Sequence, residues 1–142
     1  MFSGLCWLAA ALSVLVIRAP HADLHLEIAR TEADREHGLM DRTAIPPHTG
    51  MIFVFDQDGP VEFWMKDTLV PLDMIFVGAD GTVRTIYSNV ATVSPALPDG
   101  SIPREPGQAK YVIELAAGEA VQDGIVAGER LDVRDVPPAA PK

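Results

Sequence analysis

The chain has 142 residues and a mass of 15.3 kDa, room for one domain at roughly 100–200 residues per domain. Hydrophobic residues at 48% and charged residues at 22% suit a folded globular chain and exclude disordered, collagen-like and coiled-coil classes. A net charge of −9, from 11 Lys and Arg against 20 Asp and Glu, has the wrong sign for neutralising phosphates, so nucleic acid is excluded as a partner.

Residues 5–17, LCWLAAALSVLVI, are thirteen apolar or small residues ended by Arg18, Ala19 and Pro20. That length fits the ~7–15 residues of a signal-peptide core and falls short of the ~20 that a spanning helix needs, and Ala22 offers a small residue for cleavage. Residues 1–22 are therefore expected to be a signal peptide. Met1–Gly4 carries no Lys or Arg, and an uncleaved N-terminal anchor is the alternative. Either way the protein is expected to be exported, periplasmic or cell-envelope associated, touching a membrane only through this segment. Without residues 1–22 the single cysteine, Cys6, is gone. The remaining domain, residues 23–135 with a Pro/Ala tail at 136–142, then holds no thiol for a disulfide, a thiol enzyme or a zinc–thiolate centre.

Leu24–Ala29 alternates apolar and polar residues, the period of a half-buried strand. Thr31 ahead of Glu32, Asp34 and Glu36 reads as an N-cap with acids in the first turn, and Gly38 as the stop of a short helix. Met51–Phe55 and Val61–Met65 flank Asp56-Gln57-Asp58-Gly59-Pro60 and read as a hairpin. Asp73–Val77 and Thr82–Tyr87 flank Gly78-Ala79-Asp80-Gly81 and read as a second one, on the strong Asp-Gly turn signal. Residues 94–107 hold Pro95, Pro98, Pro103 and Pro106, too much proline for a central strand, and predict a long loop able to act as a lid. Tyr111–Leu115 reads as a strand, Glu119–Val126 as a turn of helix, and Gly128–Val133 as a closing strand. The fold class expected is mostly β, a small antiparallel barrel or curved sheet with two short helices.

Phe53, Phe55, Phe63, Trp64 and Phe76 cluster between residues 53 and 76, with Met40, Met51, Met65 and Met74 nearby, the composition of a core. Trp64 and Lys66 differ. A strand that turns Phe63 and Met65 inward aims these two at the other face, where an aromatic ring beside a cation suits an anionic or sugar-like ligand. The same pair also serves as a surface cation–π or Lys66–Asp67 arrangement with no ligand. His25, His37 and His48 lack the i, i+4 spacing of a helical metal pair. Asp56-Gln57-Asp58-Gly59 lacks the glutamate of a calcium loop, and no phosphate-binding glycine loop or nucleophile elbow is present. No metal or other cofactor is expected.

The blocks Arg35-Glu36-His37-Gly38-Leu39-Met40-Asp41-Arg42, Gly50–Phe55, Phe63–Val77 and Tyr111–Gly118 together resemble the uncharacterised family DUF192, over about residues 24–133. The resemblance implies a compact β-rich domain, often exported, with no known activity or cofactor. It marks Arg42, Trp64, Lys66, Asp67, Thr68 and Asp73 as ligand-binding candidates, since they lie inside its blocks where packing alone would not ask for them. Asp67 stands where the family commonly carries asparagine. The glycine-turn-strand ending, Gly124–Leu131, also resembles small cradle-loop barrels. The function expected is a non-enzymatic module binding a small polar or sugar-like ligand, with Trp64 and Lys66 lining the pocket. The alternatives are an envelope hydrolase or lyase using Asp67 or Asp73 as acid or base, and a structural or assembly partner with an exposed apolar patch.

Overall fold

The structure, a computed structural model, describes residues 11–142. Six strands form one open, mixed sheet: β1 (Val14–Arg18), β2 (Asp23–Ala29), β3 (Thr49–Phe63), β4 (Leu72–Val77), β5 (Val83–Val90) and β6 (Glu105–Ala116), in the order β1-β2-β3-β6-β4-β5. Two short helices, α1 (Glu32–His37) and α2 (Glu119–Gln122), complete it. The sheet is not a closed barrel. It is not wholly antiparallel either, because β2 and β3 run parallel, joined by the crossover that contains α1. Among the described residues no helix is long and apolar enough to cross a membrane.

Both sheet faces are buried. One carries Leu24, Leu26, Ile52, Ile75, Ile113 and Leu115, covered by Ala120, Ile125 and Leu131 from the C-terminal region. The other carries Met51, Phe53, Met74, Phe76 and Val112, covered by Leu39 after α1 and by Met65 after β3. β4 is buried at all six positions, the run expected of a strand covered on both sides. Thr31 caps α1 by accepting the Asp34 N–H at 3.0 Å, and Gly38 ends the helix at φ 50°, as its sequence implies. The β4–β5 hairpin turns at Gly78–Gly81, also as expected.

Three expectations are corrected. The first hairpin does not exist: Asp56–Pro60 lies inside β3, whose two halves both pair with β6, the register shifting between Val54 and Gly59. Turn-forming residues there make a bulge that bends a fifteen-residue strand instead of reversing it. The proline-rich loop is shorter than read, because Glu105, Pro106 and Gly107 already belong to β6, the strand between β3 and β4. Pro106 is tolerated because this end of β6 pairs only with β3; β4 joins from Tyr111 onward. Gly107 is required there, since a Cβ would lie 2.5 Å from the Phe76 ring. The closing strand reduces to a single bridge between Thr82 and Arg130.

Residues 14–18, read as the end of the apolar leader, form the edge strand β1, and Ile17 and Ala19 lie in the core; residues 5–10 of that run lie outside the described residues. At the β4–β5 turn Arg84 donates to both carboxylate oxygens of Asp58, at 2.6 and 2.8 Å, and Asp58 also accepts the Ala79 N–H. This pair pins the β3 bulge to the hairpin. Arg84→Ala is expected to lower stability by about 0.5–1 kcal/mol in urea titration, less at high salt, because the pair is partly exposed.

Candidate functional site

β3 ends at Phe63, and the chain leaves the sheet through Trp64, Met65, Lys66 and Asp67. Phe63 and Met65 are buried, and Phe63 meets Phe53 and Phe76 edge-on at 4.9 and 5.8 Å. That anchorage turns Trp64 and Lys66 outward into a cleft of about 1140 Å³, between α1 and the β3 bulge, with Arg35, His37 and Arg104 in its wall. Asp67 lines the same cleft with φ at 50°, and its carbonyl accepts the Asp41 N–H. Asparagine and aspartate tolerate this left-handed conformation better than most residues, a backbone reason for either at position 67.

The Trp64 ring is not bare. The Arg104 guanidinium lies 3.9 Å and the Lys66 ammonium 5.3 Å from its centre. Lys66 donates at 2.7 Å to Asp99, which belongs to a 3-10 turn, Asp99–Ser101, in the proline-rich loop, and this contact raises the lysine's pKa. The loop therefore reaches the cleft twice, through Asp99 and through Arg104. Among the described residues Arg104 makes no ion pair, so its guanidinium edge is the cation most available to a ligand.

A small cavity of about 30 Å³ lies beside the cleft, bordered by His37, Trp64, Lys66, Thr68 and Glu114. Its volume suits one water molecule. Thr68 is buried and donates to the Lys66 carbonyl at 3.1 Å. Glu114, near the C-terminal end of β6, sits between Met51 of β3 and Met74 of β4 and is 4% exposed. Burial without a cationic partner pushes its pKa up to about 8, so the carboxyl is mostly neutral at pH 7.

Trp64, Lys66, Asp67 and Thr68 thus come together, while Arg42 and Asp73 do not join them. Arg42 pairs with Glu27 of β2. Asp73, fully buried in β4, accepts three backbone N–H groups: Asn89 at 2.8 Å, Gly118 at 3.0 Å and Ala120 at 2.9 Å. Its oxygens are committed to holding β5 and the start of α2, which leaves nothing for acid–base work. Sequence reasoning missed Glu114 and Arg104. The signal for Glu114 was a lone carboxylate in the apolar run Tyr111–Leu115, where alternation puts it on the same face as Val112.

A cleft lined by charges of both signs, Arg35, Lys66 and Arg104 with Glu32, Glu36, Asp56, Asp58, Glu62 and Asp67, and set on one side of an open, mixed sheet defines a small β-rich domain with an accessible polar site. The chain belongs to the DUF192 family, described as an uncharacterised ACR, whose pattern matches residues 15–133. A crystal structure from Sinorhizobium meliloti 1021, of a protein provisionally described as a transcription regulator, is 38% identical, with a TM-score of 0.74 over 87% of this chain and 95% of that one. A second, of a protein of unknown function from Novosphingobium aromaticivorans DSM 12444, is 31% identical, with a TM-score of 0.72 over 85% and 86% of the two chains. No curated protein matches the chain.

Proposed function

We propose that this protein is a non-enzymatic binding module of the cell envelope, and that its ligand is small, polar or sugar-like and carries an anionic group. The observation that carries this reading is Arg104 lying over the Trp64 ring in the wall of the cleft, without a carboxylate partner among the described residues. A guanidinium placed over an indole ring keeps its N–H donors for a carboxylate or phosphate. Lys66, engaged by Asp99, holds the loop over the site. Glu114 serves as a hydrogen-bond donor through the cavity beside it.

A panel of uronic acids, sugar phosphates, neutral hexoses, dicarboxylates and short peptides, screened by thermal shift, tests the reading. A ligand at about 100 times its Kd stabilises the fold by about 2.7 kcal/mol. An anionic probe is expected to give that shift with the wild-type chain and to lose it with Arg104→Ala and with Trp64→Ala. The Arg104 variant, altered at an exposed side chain, is expected to melt within about 2 °C of wild type in the absence of probe. No shift with any anionic probe, or the same shift in both variants, overturns the assignment. Should a probe be turned over, Glu114 is the acid to suspect, because its raised pKa suits a proton donor near neutral pH.

Export rests on the apolar run at residues 5–17. β1 pairs with β2 over five positions and Ile17 is buried, which speaks against removal of residues 14–22 by a cut after Ala22. The intact mass of the protein recovered from an envelope fraction decides between the two.

A further inference from the structure

We propose that His48, Glu119 and Asp123 form a binding site for a divalent first-row transition metal ion, Zn²⁺ before others. The site lies at the end of the sheet where β3 begins and β6 finishes, and it shares no residue with the Trp64 cleft. One ligand atom from each residue lies within 4.8 Å of the other two.

Three observations carry the proposal. Glu119 opens α2 and Asp123, four residues on, caps its end, the Asp123 N–H donating to the Glu119 carbonyl at 2.8 Å, so both carboxylates share one side. Like charges at that spacing repel, yet the Asp123 side chain is 1% exposed and that of Glu119 is 9% exposed. Both oxygens of Asp123 and one of Glu119 are buried without a hydrogen-bond partner, an arrangement that favours a bound cation.

The third observation is the imidazole. His48 Nδ1 lies 2.8 Å from an Asp123 oxygen and 3.5 Å from a Glu119 oxygen, while the Asp123 contact is not aligned as a hydrogen bond. A tetrahedral ion with bonds of about 2.0–2.1 Å spaces neighbouring ligand atoms about 3.3 Å apart, and the two distances bracket that value. Pro46 and Pro47 precede His48, whose φ is 59°, and Thr49 donates back to the Pro46 carbonyl at 2.7 Å, so the imidazole sits on a constrained turn.

The donor set selects the ion. One imidazole nitrogen with two carboxylates suits Zn²⁺ and its first-row neighbours; Ca²⁺ seeks six to eight oxygens and Mg²⁺ an octahedron of them. Three protein ligands leave a coordination position for water on the side where His48 is 47% exposed. An ion here would tie the Pro46–Thr49 turn to α2, whose Asp123 carbonyl also accepts the His21 N–H.

The test adds Zn²⁺, Mn²⁺ or Ca²⁺ to the full chain after chelator treatment, followed by calorimetric titration and melting. Zn²⁺ is expected to bind one per chain and, at about 100 times its Kd, to raise Tm by on the order of 10 °C. Asp123→Asn and His48→Gln are each expected to weaken Zn²⁺ binding by at least roughly 100-fold. His48→Gln changes a half-exposed side chain and keeps the test valid should the Asp123 variant fold poorly. Absence of saturable Zn²⁺ binding, undiminished binding in His48→Gln, or tighter binding of Ca²⁺ than Zn²⁺ overturns the proposal.

Discussion

Replacing Asp73 with alanine is expected to lower the stability of the folded chain by about 3–5 kcal/mol, to be read from urea unfolding. The side chain is fully buried, and its two oxygens take the N–H groups of Asn89, Gly118 and Ala120. Hydrogen bonds to a charged acceptor contribute about 1.5–3 kcal/mol each, and a buried N–H left without an acceptor costs a further desolvation penalty. The loss is concentrated where β5 ends in the left-handed Asn89, at φ 53°, and where β6 turns into α2 through Gly118, at φ 90°. Asp73→Asn keeps one acceptor oxygen but sets an amide N–H₂ against backbone donors, so it recovers only part of the loss. This outcome separates two roles for the residue. A variant that melts far below wild type identifies a structural anchor; one that melts normally and no longer responds to the anionic probes identifies a ligand contact.

Asp73 also illustrates how far sequence reasoning reaches in this chain. A carboxylate inside Leu72–Val77 was legible as out of place among apolar residues, but its three partners come from segments 16, 45 and 47 residues away. Where the determinant is local, the reading holds: Thr31 and Gly38 delimit α1, Asp80-Gly81 turns the second hairpin, and alternation from Phe63 to Lys66 separates buried from outward side chains. Where it is not, the same residues support two structures. Asp56–Pro60 suits a reversal and a bulge equally, and only β6 pairing with both halves of β3 decides. Pro106 argues against a central strand unless β6 is known to outrun β4. Trp64 and Lys66 were legible as a pair, whereas Arg104 reaches them from the far end of a proline-rich loop. For His48 the search was for a second histidine at helical spacing; its neighbours are carboxylates that follow another strand.

Glu114 has the larger consequence for pH. Its pKa is about 8 in the folded chain and about 4.5 when exposed, so between those values the folded state holds a proton that the unfolded state has released. A carboxylate with its pKa raised by folding contributes stability fully present below pH 4.5 and progressively lost as pH rises to about 8. Each pH unit in that window costs about 1.4 kcal/mol, a ceiling of about 5 kcal/mol over the whole of it. Glu119, raised by burial and by Asp123, adds to the same slope. Asp58, Asp80 and Asp132 act in the opposite sense at lower pH, with their pKa values depressed by hydrogen bonds to Arg84, Thr82 and Arg134 respectively. Glu114→Gln fills the same space without a titrating proton. Urea midpoints taken from pH 5 to 9 at fixed ionic strength are expected to fall steeply for wild type and much less for this variant. The variant should be more stable by about 3–5 kcal/mol at pH 8.5 and within about 1 kcal/mol of wild type at pH 5. Parallel profiles would mean that Glu114 is charged and compensated in the folded chain, which would remove the neutral donor beside the Trp64 cleft. Steep loss in wild type alone means that the domain gives up stability at neutral pH to keep a protonated carboxyl beside the small cavity that Trp64 and Lys66 border.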